Sequence, residues 1–106
     1  QAYIDCEVLK LNNYRALTRL MRGNPAGPEG SIAKLHWAET NQRMQDLGVE
    51  MQGVGGQLYR EVETSEGGNY WQYGFLRARA NTIEGGTSEI LRNIIAERVL
   101  LLPKGR

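Results

Sequence analysis

The stretch from Arg22 to Gly30 reads RGNPAGPEG, and its two prolines and three glycines rule out regular structure there. What lies on either side of that break has a clear period. Before it, Ile4, Val8, Leu11, Tyr14, Leu17 and Met21 recur at steps of three and four, the spacing of one helix face. After it, Ser31 is a good N-cap residue, and Ala33, Trp37, Thr40, Met44, Leu47 and Met51 continue at steps of four and three. So narrow a stripe is the seam of helices packed almost parallel. Two helices of about 20 residues each, joined by a short irregular connection, are the pattern of a helical bundle.

The rest of the chain extends that pattern. Gly53 to Asn69 holds five glycines in seventeen residues, a long loop that Leu58 and Tyr59 can pin by packing. A third, shorter helix is expected from Tyr70 to Ala80, with Trp71, Phe75 and Ala78 on one side. A last helix is expected from Ser88 to Leu101. Its apolar positions Ile90, Leu91, Ile94, Ile95, Leu101 and Leu102 form a broad face that should sit deep in a core, and Pro103 and Gly105 end it. No strand alternation and no internal repeat stands out. The expected fold is all-α, a single domain over residues 1–106. Its first residues, QAYIDCEVLK, begin as if already inside a helix, so a fragment of a longer chain is expected.

Charge and composition narrow the chemistry. Thirteen basic and twelve acidic residues leave a formal net charge of +1, with both signs interspersed, and no basic stripe for nucleic acid. The longest apolar run, Val99 to Leu102, has four residues, against the roughly 20 that a membrane span needs. Cys6 is the sole cysteine, so no internal disulfide can form, which fits a reducing cytoplasmic setting. His36 is the sole histidine: zinc has no ligand set, and no nucleophile elbow accompanies a Ser-His-Asp arrangement. Met44, Met51, Trp37 and Trp71 read as core or interface residues. Arg77, Arg79, Arg92 and Arg98 read as solvated faces or partners of Glu84, Glu89 and Glu97.

One stretch carries more. Gly85-Gly86-Thr87-Ser88 runs straight into the last helix. A first helical turn has unpartnered N–H groups and partial positive charge, glycines before it permit close backbone approach, and two hydroxyls stand ready. That combination suits a phosphate or pyrophosphate. It also suits an ordinary cap by Thr87, and Glu89, complementing the helix dipole, favours that reading. The lysine of a P-loop, the G-x-G-x-x-G spacing and a preceding strand are all missing. From chemistry alone the ordinary cap is the favoured reading and the anion site the alternative.

The longer segment TIEGGTSEILRNIIAERVLLLP, Thr82 to Pro103, resembles the C-terminal signature of the acyl-CoA dehydrogenase family, flavoproteins that oxidise acyl-CoA thioesters in fatty acid metabolism. Upstream, GSIAKLHWAETNQRMQDLGVEMQG is similar to the family helix that opens on Ser-x-x-Lys and ends near a glycine pair, and Gln1 to Arg22 fits the helix before it. The resemblance implies a C-terminal four-helix bundle whose N-terminal helical and middle β domains lie elsewhere. It implies FAD as cofactor, an acyl-CoA substrate, an electron-transferring flavoprotein as electron acceptor, and a bundle that builds a homo-oligomer (dimer or tetramer) or heteromer. By that likeness Thr87, Ser88 and Glu89 lie against the flavin, and Gly85 and Gly86 line the acyl thioester site. Glu50 to Gly53 matches a turn that meets the cofactor of a neighbouring subunit. Glu50 stands where glutamine is common, and an anionic side chain there repels a pyrophosphate. The Gly-Gly form of the motif looks bacterial rather than mitochondrial.

The implied reaction is α,β-dehydrogenation, which needs a carboxylate to remove the α-proton. Many members place that glutamate immediately before the Gly-Thr pair, a position occupied here by Gly85. Three explanations are open: a base on the first bundle helix outside this chain, Glu84 reaching in from one residue earlier, or a subunit that is non-catalytic or served by its partner. Gly85 also leaves room for a bulky or branched acyl group. The rivals are a flavin-dependent oxidase or monooxygenase on the same scaffold, and a helical assembly module without chemistry. Isolated, such a bundle should expose a large apolar patch and self-associate, with Trp37 and Trp71 as interface aromatics.

Overall fold

The computed structural model describes residues 1–25, 27–59 and 69–104. The described residues form four α-helices and no strand: α1 Ala2–Met21, α2 Glu29–Met51, α3 Tyr70–Ala78 and α4 Ser88–Arg98. A 3₁₀ turn, Gly53–Gln57, follows α2, and a second, Arg79–Thr82, continues α3. The all-α expectation holds, and the break between the two long helices falls where the prolines and glycines put it. Helix α2 is the hub and packs against α1, α3, α4 and both 3₁₀ turns.

Several boundaries differ from expectation. Helix α2 starts at Glu29, ahead of Ser31, because the carbonyl of Pro28 already accepts from Ser31 N at 3.0 Å and Ile32 N at 3.2 Å. Proline presets the required φ, and Glu29 complements the dipole of the first turn. Helix α3 ends at Ala78 and tightens into 3₁₀ geometry. Helix α4 ends at Arg98, three residues short of Leu101, where the backbone turns left-handed at φ 55° and Leu102 N returns to Ala96 O at 3.0 Å. The Gly53–Asn69 loop opens as a 3₁₀ turn, and its centre, 60–68, lies outside the described residues, as does Gly105. Leu58 and Tyr59 are exposed, and the part of the loop that they would pin lies outside the described residues.

The interior is not the apolar seam that the periodicity suggests. Among the described residues the buried apolar ones are Ala38, Ala78 and Leu91, while Asp5, Thr40, Gln72, Asn81 and Ser88 are buried polar ones. Of the α2 stripe only Thr40 is buried; Trp37, Met44, Leu47 and Met51 are exposed, Met51 by 79%. On α4, Leu91 is buried and Ile90 exposed, and Leu101 and Leu102, beyond its end, are exposed as well, so the broad face is not deep in a core. Small residues face inward because they let helices approach closely. Gly48 shows it: the Trp71 indole lies against its backbone, in space a side chain would fill. The radius of gyration, 17.4 Å, exceeds the roughly 13 Å of a compact chain this long. The assembly is open, and the apolar faces of α1, α2 and α4 are uncovered.

Amides do much of the joining. Gln42 Nε2 donates to Ala78 O at 3.0 Å and Thr82 Oγ1 at 3.1 Å, Asn41 Nδ2 to Asn81 Oδ1 at 2.8 Å, and Gln72 Nε2 to Gln52 Oε1 at 2.8 Å. At the other side of α2, Arg43 bonds Asp5 at 3.1 Å and Gln1 caps the same carboxylate at 2.8 Å. Those two partners, Gln1 foremost, hold Asp5 below the usual carboxylate pKa. His36 is half-buried and meets the Asp5 carbonyl at 2.9 Å, a role in helix packing.

Candidate functional site

The glycine pair sits in a turn between the second 3₁₀ element and α4. Ile83 N and Glu84 N both return to Ala80 O, at 2.9 and 2.8 Å, and close the end of the 3₁₀ turn. Gly85 and Gly86 then take φ of 65° and 103°. A Cβ on either would meet nothing nearer than 3.6 Å, so conformation rather than space requires glycine. Two consecutive left-handed positions would cost other residues about 1–2 kcal/mol each.

Beyond the turn, Thr87 is the N-cap of α4: its hydroxyl accepts from Ile90 N at 3.3 Å. Glu89 is held below the usual carboxylate pKa, first by its own backbone N–H, then by the Thr87 side chain and the nearby Arg92. So far this is a capped helix. Ser88 is different. It is buried, and its Oγ has no hydrogen-bond partner among the described residues. Buried hydroxyls are nearly always paired, so this one marks a place for a polar partner.

Thr87, Ser88 and Glu89 form one rim of a cleft of ≈ 560 Å³ whose other walls are Thr82, Ile83 and the α2 side chains Glu39, Gln42, Arg43 and Asp46. Arg92 closes it by pairing with Glu39, and Asp46 pairs with Arg79. Both α2 carboxylates are thereby neutralised by arginines.

The turn is tied to α2 from below. Lys34 Nζ donates to Asn81 O at 2.6 Å and Gly86 O at 2.9 Å. Asn81 Nδ2 donates to Glu84 Oε1 at 2.8 Å, and Arg77 Nη2 donates to both Glu84 oxygens at 3.1 and 3.0 Å. Glu84 is consequently held below the usual carboxylate pKa, by Arg77 first and Asn81 second.

Gly85, Gly86, Thr87, Ser88 and Glu89 therefore stand together. Glu50 and Gly53 do not join them. Gly53, left-handed at φ 56°, follows the far end of α2, and Lys34 and Met51 are about 26 Å apart along the helix axis. Among the described residues no cluster of acids, histidines or cysteines could hold a metal ion, and no helix is long and apolar enough to cross a membrane. Asn41, Gln42 and Asn81 join Lys34 in holding the turn, and no motif or hydrophobic period singles those three out in the sequence. The signal was available in part: Lys34, Ala38, Asn41, Gln42 and Gln45 share one face of α2 at helical spacing.

The family described as acyl-CoA dehydrogenase, C-terminal domain, matches residues 1–100. Two curated relatives, both named acyl-CoA dehydrogenase IpdE1, come from Mycolicibacterium smegmatis and Mycobacterium tuberculosis. Each is 41% identical over 76 residues, or 72% of this chain. The chain spans only 18% and 19% of their lengths. No solved structure matches it. A glycine-paired helix entry on an all-α scaffold, matched to one family over residues 1–100, shows that the chain belongs to the acyl-CoA dehydrogenase C-terminal domain family.

Proposed function

We propose that this chain is the flavin-side helical domain of an FAD-dependent acyl-CoA dehydrogenase that introduces an α,β double bond into an acyl-CoA thioester. One observation carries it above the rest: the left-handed Gly85–Gly86 turn delivers Thr87, the unpartnered Ser88 hydroxyl and Glu89 to the rim of a ≈ 560 Å³ cleft. The donor set fits a cofactor edge with polar groups, since a buried hydroxyl without a partner needs one. Thr87, Ser88 and Glu89 would hold the FAD edge, and Gly53, beyond the far end of α2, would serve a different cofactor-binding surface. When bound, FAD supplies the hydride acceptor.

The chain's own residues contribute position and space. Gly85 and Gly86 present bare backbone to the thioester, and the absent side chain at Gly85 admits a bulky or branched acyl group. Gly85 offers no carboxylate for α-proton removal. Glu84 is a poor substitute, because its pairing with Arg77 and Asn81 makes it a weaker base. Proton abstraction is therefore assigned to a carboxylate on the parent protein's first bundle helix or on a partner subunit. The exposed apolar faces of α1 and α4, with Trp37, support burial against the parent's other domains and against further subunits. An electron-transferring flavoprotein would reoxidise the cofactor, and a bacterial cytoplasm is the expected location.

The test is the absorption spectrum of the purified full-length parent, followed by a panel of acyl-CoAs under anaerobic conditions. Flavin colour bleached by at least one acyl-CoA is the expected result. Absence of flavin after adding FAD refutes the enzyme. Flavin that no acyl-CoA bleaches moves this subunit to a non-catalytic or partner-dependent role, and fast reoxidation by oxygen identifies an oxidase or monooxygenase instead.

A further inference from the structure

Ser31-Ile32-Ala33-Lys34 is part of the family likeness, yet nothing above gives its lysine a role in the chemistry. We propose that Lys34 is a positioning residue: its ammonium clamps the two ends of the Gly85–Gly86 turn and so sets the thioester-facing backbone relative to the cofactor-facing start of α4. The catalytic part of this rests on the dehydrogenase reading above.

Asn81 and Gly86 bracket the turn, and one side chain, reaching from α2 across 47 and 52 residues of sequence, takes both carbonyls at 2.6 and 2.9 Å. No backbone N–H of the turn reaches either oxygen. The left-handed geometry of Gly85 and Gly86 interrupts the local hydrogen-bond ladder there, so the partner must come from elsewhere in the fold. Glycine tolerates many conformations, and two in succession hold one only when the surroundings over-determine it. Lysine suits this work. A compact ammonium with three donors can serve two carbonyls converging on one point, and its charge strengthens both bonds. The same charge draws on Glu84, which Asn81 and Arg77 hold from the other side.

Gly85 and Gly86 sit immediately before Thr87 and Ser88, so freedom in the turn changes the spacing between the proposed thioester and cofactor contacts. Loss of the clamp should slow the chemical step more than it reduces cofactor content. Small misplacements of reacting groups slow such reactions by up to about 100-fold.

The experiment uses the full-length parent with Lys34→Met and Lys34→Arg. Flavin content comes from absorbance, acyl-CoA affinity from the perturbation of the flavin spectrum, and the rate of anaerobic bleaching from stopped flow at saturating acyl-CoA. Hydrogen exchange is followed by mass spectrometry across residues 82–91 and 70–78. Lys34→Met is expected to keep flavin within about twofold, to bleach at least ~10-fold more slowly at saturation, and to exchange faster across 82–91 but not 70–78. Lys34→Arg keeps the charge but not the compact head, and should be intermediate in rate with native exchange across 70–78. Wild-type rate and exchange in Lys34→Met overturn the clamp. If Lys34→Met does not fold, a wild-type rate in Lys34→Arg overturns it and a slowed one supports it. A wild-type enzyme that no acyl-CoA bleaches overturns the dehydrogenase reading and the catalytic role of Lys34 together, whereas indifferent variants of a bleaching enzyme overturn only the latter.

Discussion

Replacing Gly48 by alanine should destabilise the bundle, and the sign should reverse once Trp71 is gone. In an ordinary helix interior, Gly→Ala stabilises by about 0.5–1 kcal/mol, because alanine loses less backbone entropy. Gly48 lies within α2, buried, and three atoms of the Trp71 indole occupy the place of its missing methyl group. Those atoms belong to the body of a rigid ring, so the ring must shift by on the order of 1 Å, and overpacking of that kind costs about 1–3 kcal/mol. Set against the gain in propensity, Gly48→Ala should be net destabilising by about 1–2 kcal/mol. In a Trp71→Ala background the clash disappears, and the same change should stabilise by about 0.5–1 kcal/mol. The coupling energy of the cycle is then roughly 1.5–3 kcal/mol. Calorimetry on the full-length parent and its three variants measures it. If Gly48→Ala raises the melting temperature in both backgrounds, the close approach of α2 and α3 through Gly48 is refuted.

Two further outcomes follow from the turn and its ion pairs. Thr87→Ala should cost about 1 kcal/mol of bundle stability through the lost cap on Ile90 N, and Thr87→Ser should restore most of it in the same calorimetric assay. Glu84 has a depressed folded-state pKa, so its pairing stabilises the fold above the ordinary carboxylate value of 4.5 and is lost as pH falls below that through the folded pKa. Arg77→Met should therefore flatten the acid limb of a stability–pH profile while leaving the neutral-to-alkaline limb unchanged in shape; an unchanged acid limb would show that the pair contributes nothing.

The legible parts of this protein are those governed by neighbours in sequence. Prolines and glycines between Arg22 and Gly30 stop a helix whatever surrounds them, so the division into α1 and α2 could be read directly. Thr87 was legible as a cap candidate because capping involves a hydroxyl and an amide three residues apart. Gly85 and Gly86 announced a turn that only glycine enters at low cost, though not what the turn serves.

Burial was another matter. A helical stripe says which face seeks cover but not what covers it, so the period of Trp37, Met44, Leu47 and Met51 suggests a seam. In the fold Ala38, Thr40 and Gly48 make the close contacts instead. Small residues give no hydrophobic signal, and their value appears only when another helix lies against them. The same holds at the candidate site. Lys34 and Asn81 are unremarkable surface-type residues in the linear chain, 47 positions apart, and the hold on the glycine turn exists only because α2 crosses beneath it. Sequence by itself determined where the helices begin to break and where the backbone must turn left-handed, because those are local preferences of a few residues. Tertiary structure alone decided which faces close on each other and which side chain steadies the turn, because both depend on groups brought together from distant parts of the chain.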